Sequence, residues 1–386
     1  MFQSGTCWLG RSAVLSLAIT NRNNFSLQNS PLNFVQRSVI RIGNSNDATS
    51  ALTVYPGLGY PTADGKWRFQ LSGVAWQSPV VITRRQRMMI RVLGGVMQAS
   101  PDDLSGETFQ SRIKPFMAEA EHRQRIIVKI GNQSYRLKKR TKRNGRFQQT
   151  LTIPDSQIKN LIKEVDGNRL VEFSVLINGS NEAPVSAIAY LYQPGKVSVV
   201  SDIDDTIKDS AVGDRRELLA NTFLRKFRSI DGMAEVYRQW SKQGAGFHYV
   251  SSSPWQLFQS LQGLQTDLGF PVGTVHLRNF RLRDQLLKRV IVRRHGKMVA
   301  IAKLLKRMPG REMVLVGDSG EKDPKIYRKI CRKFPGRIRA VFIRDLEHRP
   351  FDDERLKKLR SSLDGGVCER FKTADELQRL SKGLFD

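Results

Sequence analysis

The sequence predicts a doubly wound α/β domain preceded by an all-β, sandwich-like domain, and three observations carry that prediction. From about residue 51 to 195, short alternating apolar and polar runs are punctuated by Asn-Gly and Asp-Gly pairs, the pattern of antiparallel hairpins. After Pro194-Gly195, β-type apolar runs alternate with helical stretches, which argues for parallel strands joined by crossover helices. The length of 386 residues suits two domains better than one.

Residues 1–50 are rich in Asn and Ser with little periodicity, and a disordered extension is expected there. Within them an apolar stretch, 13–19, follows Arg11, and the first acidic residue is Asp47. That is weakly like a targeting segment, but the stretch is short. In the β region, 67–71 follows Asp64-Gly65, and 126–130 leads through Gly131-Asn132 to 135–137. Next, 147–153 follows Asn144-Gly145, and 170–177 precedes Asn178-Gly179. These read as strands of a sandwich or small barrel, with a helical segment near 105–120. The run Lys138-Lys139-Arg140-Thr141-Lys142-Arg143 suits an anionic surface and equally a solvated hairpin tip. In the α/β domain, assigned to 196–386, strand-like runs at 196–201, 247–250, 313–316 and 338–343 alternate with helical stretches at 215–228, 232–242 and 298–307. Residues 347–386 read as helices completing that domain.

An apolar fraction of 40% with 26% charged residues is that of a folded globular chain. Subtracting 36 acidic from 64 basic residues leaves +28. Such a surface attracts polyanions, and charge alone does not separate nucleic acid from anionic lipid. The three cysteines, Cys7, Cys331 and Cys368, show neither a disulfide framework nor zinc-type pairing, so a reducing, cytoplasmic setting is expected. No window approaches a membrane span. Asn132-Gln133-Ser134 and Asn178-Gly179-Ser180 fit the glycosylation pattern, which matters only in a secreted chain.

Ligands of open α/β sheets bind at the carboxyl ends of the strands, so the residues that follow each run are the informative ones. After 197–201 comes Asp202-Ile203-Asp204-Asp205-Thr206. Acidic side chains crowded at a strand end repel one another and are costly to desolvate, and a hard dication with oxygen ligands offsets that cost. After 247–250 come Ser251-Ser252-Ser253-Pro254, hydroxyls suited to a phosphoryl oxygen. After 313–316 comes Gly317-Asp318-Ser319-Gly320-Glu321-Lys322-Asp323, a second acidic cluster.

Asp-x-Asp-x-Thr, a Ser after a strand, a Lys, and Gly-Asp-x-x-x-x-Asp form the motif order of the haloacid dehalogenase superfamily. More narrowly, several strings resemble the catalytic domain of the actin-patch-protein family of phosphatidate phosphatases. They are 201–207, 247–251 with Ser253-Pro254-Trp255, His276-Leu277-Arg278 with 280–283, and 316–321. The resemblance is dense over about 196–346 and extends thinly to 55–60 and Trp67 in the β region.

The resemblance implies a phosphatase dependent on Mg2+. It makes Asp202 the nucleophile that forms an aspartyl-phosphate, and Asp204 the general acid and then base. Magnesium would meet the Asp202 carboxylate, the Asp204 backbone carbonyl and the Asp318 carboxylate. Ser251 would hold a non-bridging phosphoryl oxygen, with Ser252 and Ser253 competing for the role. Lys297 would offset charge near the nucleophile, with Lys303 and Lys306 as rivals. Thr206, Glu321 and Asp323 are supporting residues, Asp323 from behind the metal ligands. The plainer reading makes Asp202, Asp204 and Ser251 helix caps, and His248 a hydrogen-bonded core residue.

Residues 276–297 are strongly basic, with Arg278, Arg281, Arg283, Lys288, Arg289, Arg293, Arg294 and Lys297 against Asp284, and apolar residues interleaved. That mixture suits an anionic lipid surface. The short spacing between the first two motifs leaves no room for a large cap domain, which favours a bulky or membrane-bound substrate. The resemblance therefore implies a lipid phosphomonoester such as phosphatidate, cleaved by an enzyme peripheral at the membrane. The alternatives are a phosphatase for sugar phosphates or nucleic-acid ends, and a catalytically silent adaptor for membranes or partners. The oligomeric state is not legible.

Overall fold

A computed structural model of the chain describes residues 50–77, 82–278 and 296–385. The expected disordered extension and the targeting-like stretch lie outside the described residues, as do Cys7 and the basic positions from Arg281 to Arg294.

The first half is a ten-stranded, mainly antiparallel sheet. It begins with β1 (Ser50–Val54), β2 (Gly57–Pro61) and β3 (Lys66–Gln77). Three helices follow, α1 (Arg84–Met97), α2 (Pro101–Ser105) and α3 (Glu107–Met117). The sheet resumes with β4 (Glu119–Ala120), β5 (Ile126–Ile130), β6 (Gln133–Arg136) and β7 (Arg146–Pro154). A short helix α4 (Asp155–Ile158) then leads to β8 (Ile162–Val165), β9 (Asn168–Ile177) and β10 (Val185–Leu191). The long β3 pairs with β7 along one edge and with β2 and then β1 along the other. Alternate residues of β3, β7, β9 and β10 (Phe69, Leu151, Phe173 and Ala189 among them) enter one core, as the two-residue strand period requires. One pair, β2 with β10, is parallel.

The sequence reading placed one helix near 105–120, whereas the structure has three between 84 and 117. The missed helix, α1, carries Arg84, Arg85, Arg87 and Arg91 and the pair Gly94-Gly95, which dilute its apolar stripe. Its buried side still repeats at four residues through Met89 and Met97, with Leu93 partly buried between them, and Thr83 and Gln86 close a reciprocal capping box at its start.

The second half is a six-stranded sheet in which every pairing is parallel. Its elements are β11 (Val197–Ser201), α5 (Arg215–Phe223), α6 (Met233–Lys242), β12 (Gly246–Pro254), α7 (Phe258–Thr266), β13 (Gly273–Arg278), α8 (Gly296–Arg307) and β14 (Glu312–Asp318). They continue with α9 (Asp323–Lys333), β15 (Ile338–Arg344), α10 (Asp353–Arg360), β16 (Val367–Phe371) and α11 (Ala374–Leu380). Two differences from the sequence reading stand out. The stretch 215–228 is helical only to Phe223, and 347–386 contains the edge strand β16 between two helices. Two glycines before Val367 and the short Val-Cys-Glu-Arg-Phe run give that strand little periodicity to read.

The strand order is β13-β12-β11-β14-β15-β16, so the winding direction reverses between β11 and β14. Val199, Val314 and Val316 face α6, α7 and α11. Val200, Leu315 and Val341 face α8, α9 and α10. A crevice forms where such an order reverses, outside the strand ends. The two sheets share apolar packing: Leu58, Tyr60 and Tyr190 lie in one buried cluster with Leu304 and Met308. The Tyr60 hydroxyl accepts from the Gly310 amide at 3.0 Å, and the Arg311 guanidinium donates to Gln193 O at 2.7 Å and Ser198 Oγ at 2.9 Å.

Candidate active site

The ends of β11, β12 and β14 bring their polar residues to this reversal point. Asp202 follows β11, its amide donating to Val316 O at 2.9 Å, and its side chain is buried. Lys297, in the first turn of α8, approaches Asp202 Oδ1 to 2.8 Å, as an ion pair outside hydrogen-bond geometry. The same ammonium donates to Glu321 Oε2 at 2.6 Å and Asp323 Oδ1 at 2.9 Å. Lys303 lies farther along the wall of the same cavity, and Lys306 is exposed. Thr206 Oγ1 stands 3.4 Å from Asp202 Oδ2.

Carboxylate oxygens of Asp202, Asp318 and Asp323 lie within 4.8 Å of one another, all three residues buried. Asp318 Oδ1 accepts the Glu321 amide at 2.7 Å. Asp318 Oδ2 and Asp323 Oδ2 are buried with no hydrogen-bond donor among the described residues. Burial and the neighbouring charge of Asp323 push Asp318 up to about 7, against the pull of Lys297. Burial likewise raises Asp202 well above the carboxylate range, although Lys297 opposes it. Burial lowers Lys297, but the charges of Asp202, Asp323 and Glu321 outweigh it and hold the ammonium protonated. Carboxylate oxygens converging from three side chains, those of Asp318 and Asp323 each including one without a donor among the described residues, fit a hard divalent cation. The sequence reading set Asp323 behind the ligands, while the geometry groups it with Asp202 and Asp318. Gly317 makes the close approach possible, since a Cβ there would meet Asp323 Oδ2 at 2.4 Å.

Asp204 points elsewhere. Its Oδ1 accepts from Lys208 Nζ at 3.1 Å and Ser210 Oγ at 2.8 Å, and its Oδ2 from Ser251 Oγ at 3.0 Å and Ser253 Oγ at 2.8 Å. Burial favours the neutral acid, but Lys208 and the hydroxyls overcome it and hold Asp204 below the usual carboxylate range. Lys208, Ser210 and Ser253 were not singled out for this role in the sequence, although Lys208 stands four residues after Asp204, where a tight turn returns it to the carboxylate. Asp205 builds that turn: at φ +53°, its carboxylate accepts the amides of Ser210, Ala211 and Val212 at 2.7–2.9 Å. Ser252 Oγ stands 3.5 Å from Glu321 Oε2. His248 is buried between Thr274 Oγ1 at 2.7 Å and Ser198 Oγ at 3.2 Å, away from the carboxylates.

Residues 197–345 match the family model of the catalytic domain of phosphatidate phosphatase APP1. Over this segment the chain is similar to the APP1-type phosphatidate phosphatase family. Phosphatidate phosphatase APP1 of Saccharomyces cerevisiae is 35% identical over 156 residues, 39% of this chain and 26% of that protein. An uncharacterized protein of Schizosaccharomyces pombe is 30% identical over 189 residues, 46% of this chain and 31% of that protein. The chain thus spans under a third of the length of these two relatives. One solved structure, a glycosyl hydrolase family 2 member from Bacteroides cellulosilyticus, covers 82% of this chain and 38% of that one at 8% identity. Its TM-score of 0.27 is too low to bear on the fold. The APP1 match covers the strand ends that carry Asp202, Ser251 and Asp318; the first sheet lies outside it. Among the described residues, no helix is long and apolar enough to cross a membrane.

Proposed function

We propose that this chain is a haloacid-dehalogenase-type phosphatase that hydrolyses a lipid phosphomonoester, phosphatidate, through an aspartyl-phosphate on Asp202. The observation that carries the reading is the convergence of Asp202, Lys297, Asp318 and Asp323 at the reversal point of a parallel sheet. Asp202, Asp318 and Asp323 would hold magnesium, with the Asp204 backbone carbonyl as a further ligand. When bound, the ion supplies positive charge between the substrate phosphate and its anionic nucleophile.

The chain's own groups divide the rest. Asp202 attacks phosphorus as the ester P–O bond breaks, and water later cleaves the acyl phosphate to release phosphate and restore the carboxylate. Lys297 fixes Asp202 and balances charge beside the phosphoryl group. Asp204 passes the proton, giving it to the leaving oxygen and taking it from the attacking water. The resting network holds Asp204 ionised, which is the form the second step uses. The first step needs the protonated form, so part of the network must be exchanged when substrate binds. Turning the Ser251 hydroxyl from Asp204 to a phosphoryl oxygen contributes to that exchange, because it removes one of the four donors to the carboxylate.

A lipid surface as partner is supported by α1. Met88 and Val92, one turn apart, are exposed at 67% and 51%, and Ile82 is exposed just before the helix. Arg84, Arg85, Arg87 and Arg91 surround them, all exposed. Apolar side chains rimmed by arginine suit an anionic headgroup layer.

Phosphate release from phosphatidate in mixed micelles with magnesium tests the proposal, with Asp202→Asn and a soluble phosphomonoester in parallel. Lipid turnover that disappears in the variant supports it. Turnover of the soluble compound alone keeps the mechanism and rejects the substrate, and no release from either rejects the enzyme.

A further inference from the structure

The cavity beside the catalytic carboxylates has a volume of about 660 Å3 and is walled by both halves of the chain. Ser251, Lys297 and Glu321 line it on one side, and Tyr55 and Arg146 of the first sheet on another. Between them lie Lys303 and Arg307, one turn apart on α8.

Arg146, Lys303 and Arg307 are close enough for their positive charges to act together on His276, whose imidazole is driven down to about 3 by burial and then by those three cations. Lys303 itself is lowered by burial and by the charges of Arg307, Arg146 and Lys142. Among the described residues, no carboxylate pairs with Arg146, Lys303 or Arg307, and none of the three side chains makes a hydrogen bond. Like charges that converge at a cavity wall repel one another, and an anion that joins them relieves the repulsion.

A second observation points the same way. Tyr55 is 4% exposed, lines the cavity, and its hydroxyl has no hydrogen-bond partner among the described residues. Gln70, also buried on this wall, leaves its side-chain oxygen unpartnered among the described residues. Buried polar atoms of this kind are ordinarily satisfied. A phenol O–H and, after rotation of the amide, a Gln NH2 are donors of the type an oxyanion accepts.

We propose that Arg146, Lys303 and Arg307, with the Tyr55 hydroxyl, form a second anion-binding subsite between the two sheets, which takes a phosphate or carboxylate group other than the phosphate under attack. The inference rests on the phosphatase reading and goes beyond phosphatidate, which has one phosphate: a phosphomonoester with a second anionic group would span from Asp202 to Arg146, and the first sheet would select it. The same chemistry would also accept a separate free phosphate.

Non-hydrolysable ligands test this without turnover. Calorimetric titration in magnesium buffer compares an alkylphosphonate with alkane bisphosphonates of increasing spacer length, on the wild type and on Arg146→Gln/Arg307→Gln. At one spacer length the bisphosphonate is expected to bind the wild type about tenfold tighter than the monophosphonate or better, since hydrogen bonds to charged groups are of that strength. In the variant the ratio falls toward one. If instead two monophosphonates bind per chain and the variant loses one, the subsite takes a separate anion. One monophosphonate per chain with no spacer preference, or a preference unchanged in the variant, overturns the proposal. The paired variant is expected to melt no lower than the wild type, because it removes repulsion. Should it fold poorly, Lys303→Gln, at an exposed position, provides the same comparison. Failure of the phosphatase reading would show separately, as wild-type protein that releases phosphate from no ester while its phosphonate titrations stand.

Discussion

Lys297 Nζ lies 2.8 Å from Asp202 Oδ1, and the same ammonium meets Glu321 and Asp323. One lysine therefore serves three carboxylates, with Asp318 beside them, and the negative charge exceeds the positive at a buried point. Removing the lysine takes away the ammonium that meets Asp202, Glu321 and Asp323, and breaking a buried pair from one side costs about 3–5 kcal/mol. Lys297→Met should lower the stability of the metal-free protein by that order and abolish phosphate release. Denaturant unfolding in chelator reads the first effect. An unchanged midpoint would mean that the lysine does not neutralise the cluster.

The same excess of charge makes magnesium a predicted stabiliser. Asp318 is raised from 3.8 to about 7, first by burial and then by Asp323. The folded metal-free protein thus binds a proton that the unfolded chain releases, and this contribution is present below about 3.8 and lost as pH rises through about 7. Relative to Asp318→Asn, the metal-free wild type should lose stability as pH rises over that window. The melting temperature of the wild type should rise with added magnesium at neutral pH, and that of Asp318→Asn should rise far less. An equal rise in both would place the ion elsewhere.

The legible part of the site is the part that strand ends dictate. Asp202, Ser251 and Asp318 follow directly from apolar runs, and the parallel pairing of β11 with β12 and β14 brings them together without further information. Lys297 was less distinct from Lys303 and Lys306, because all three lie on one helix and its rotation decides which reaches Asp202. Ser253 donates to the same Asp204 oxygen as Ser251, an outcome of how the end of β12 bends, where its register with β13 shifts between Val250 and Pro254. Lys208 was hidden in a turn closed by backbone amides that donate to the Asp205 carboxylate. The cations Arg146 and Arg307 lie 161 residues apart and meet only because the two sheets pack together, so no local pattern announces them.

Two buried imidazoles should make the fold sensitive to acid. His276 is lowered to about 3 by burial and by Arg307, Arg146 and Lys303, and His248 falls well below 6.5 by burial, His276 and Arg311. A depressed histidine contributes stability that is complete above its unfolded value of about 6.5 and lost as pH falls toward the folded value. Each such group contributes a slope of at most about 1.4 kcal/mol per pH unit. Relative to His276→Gln, the wild-type urea midpoint should fall as pH drops from about 6.5 to 3. A slope identical to that of the wild type would mean that His276 is protonated in the folded protein.

The exposed face of α1 distinguishes lipid docking from generic basicity. With a net charge of +28, many surface arginines attract anionic vesicles, each by about 1 kcal/mol near the membrane, so charge neutralisation at α1 alone would be a weak test. Met88 and Val92 add an apolar component that long-range attraction cannot supply. Met88→Glu/Val92→Glu keeps every arginine, changes the total charge by only two, and removes the side chains that would enter the headgroup boundary. Sedimentation with phosphatidate-containing vesicles should show binding reduced about tenfold or more, with phosphate release from a soluble ester retained. Binding that instead tracks ionic strength alone and ignores the two substitutions would assign the attraction to the whole basic surface and not to this helix.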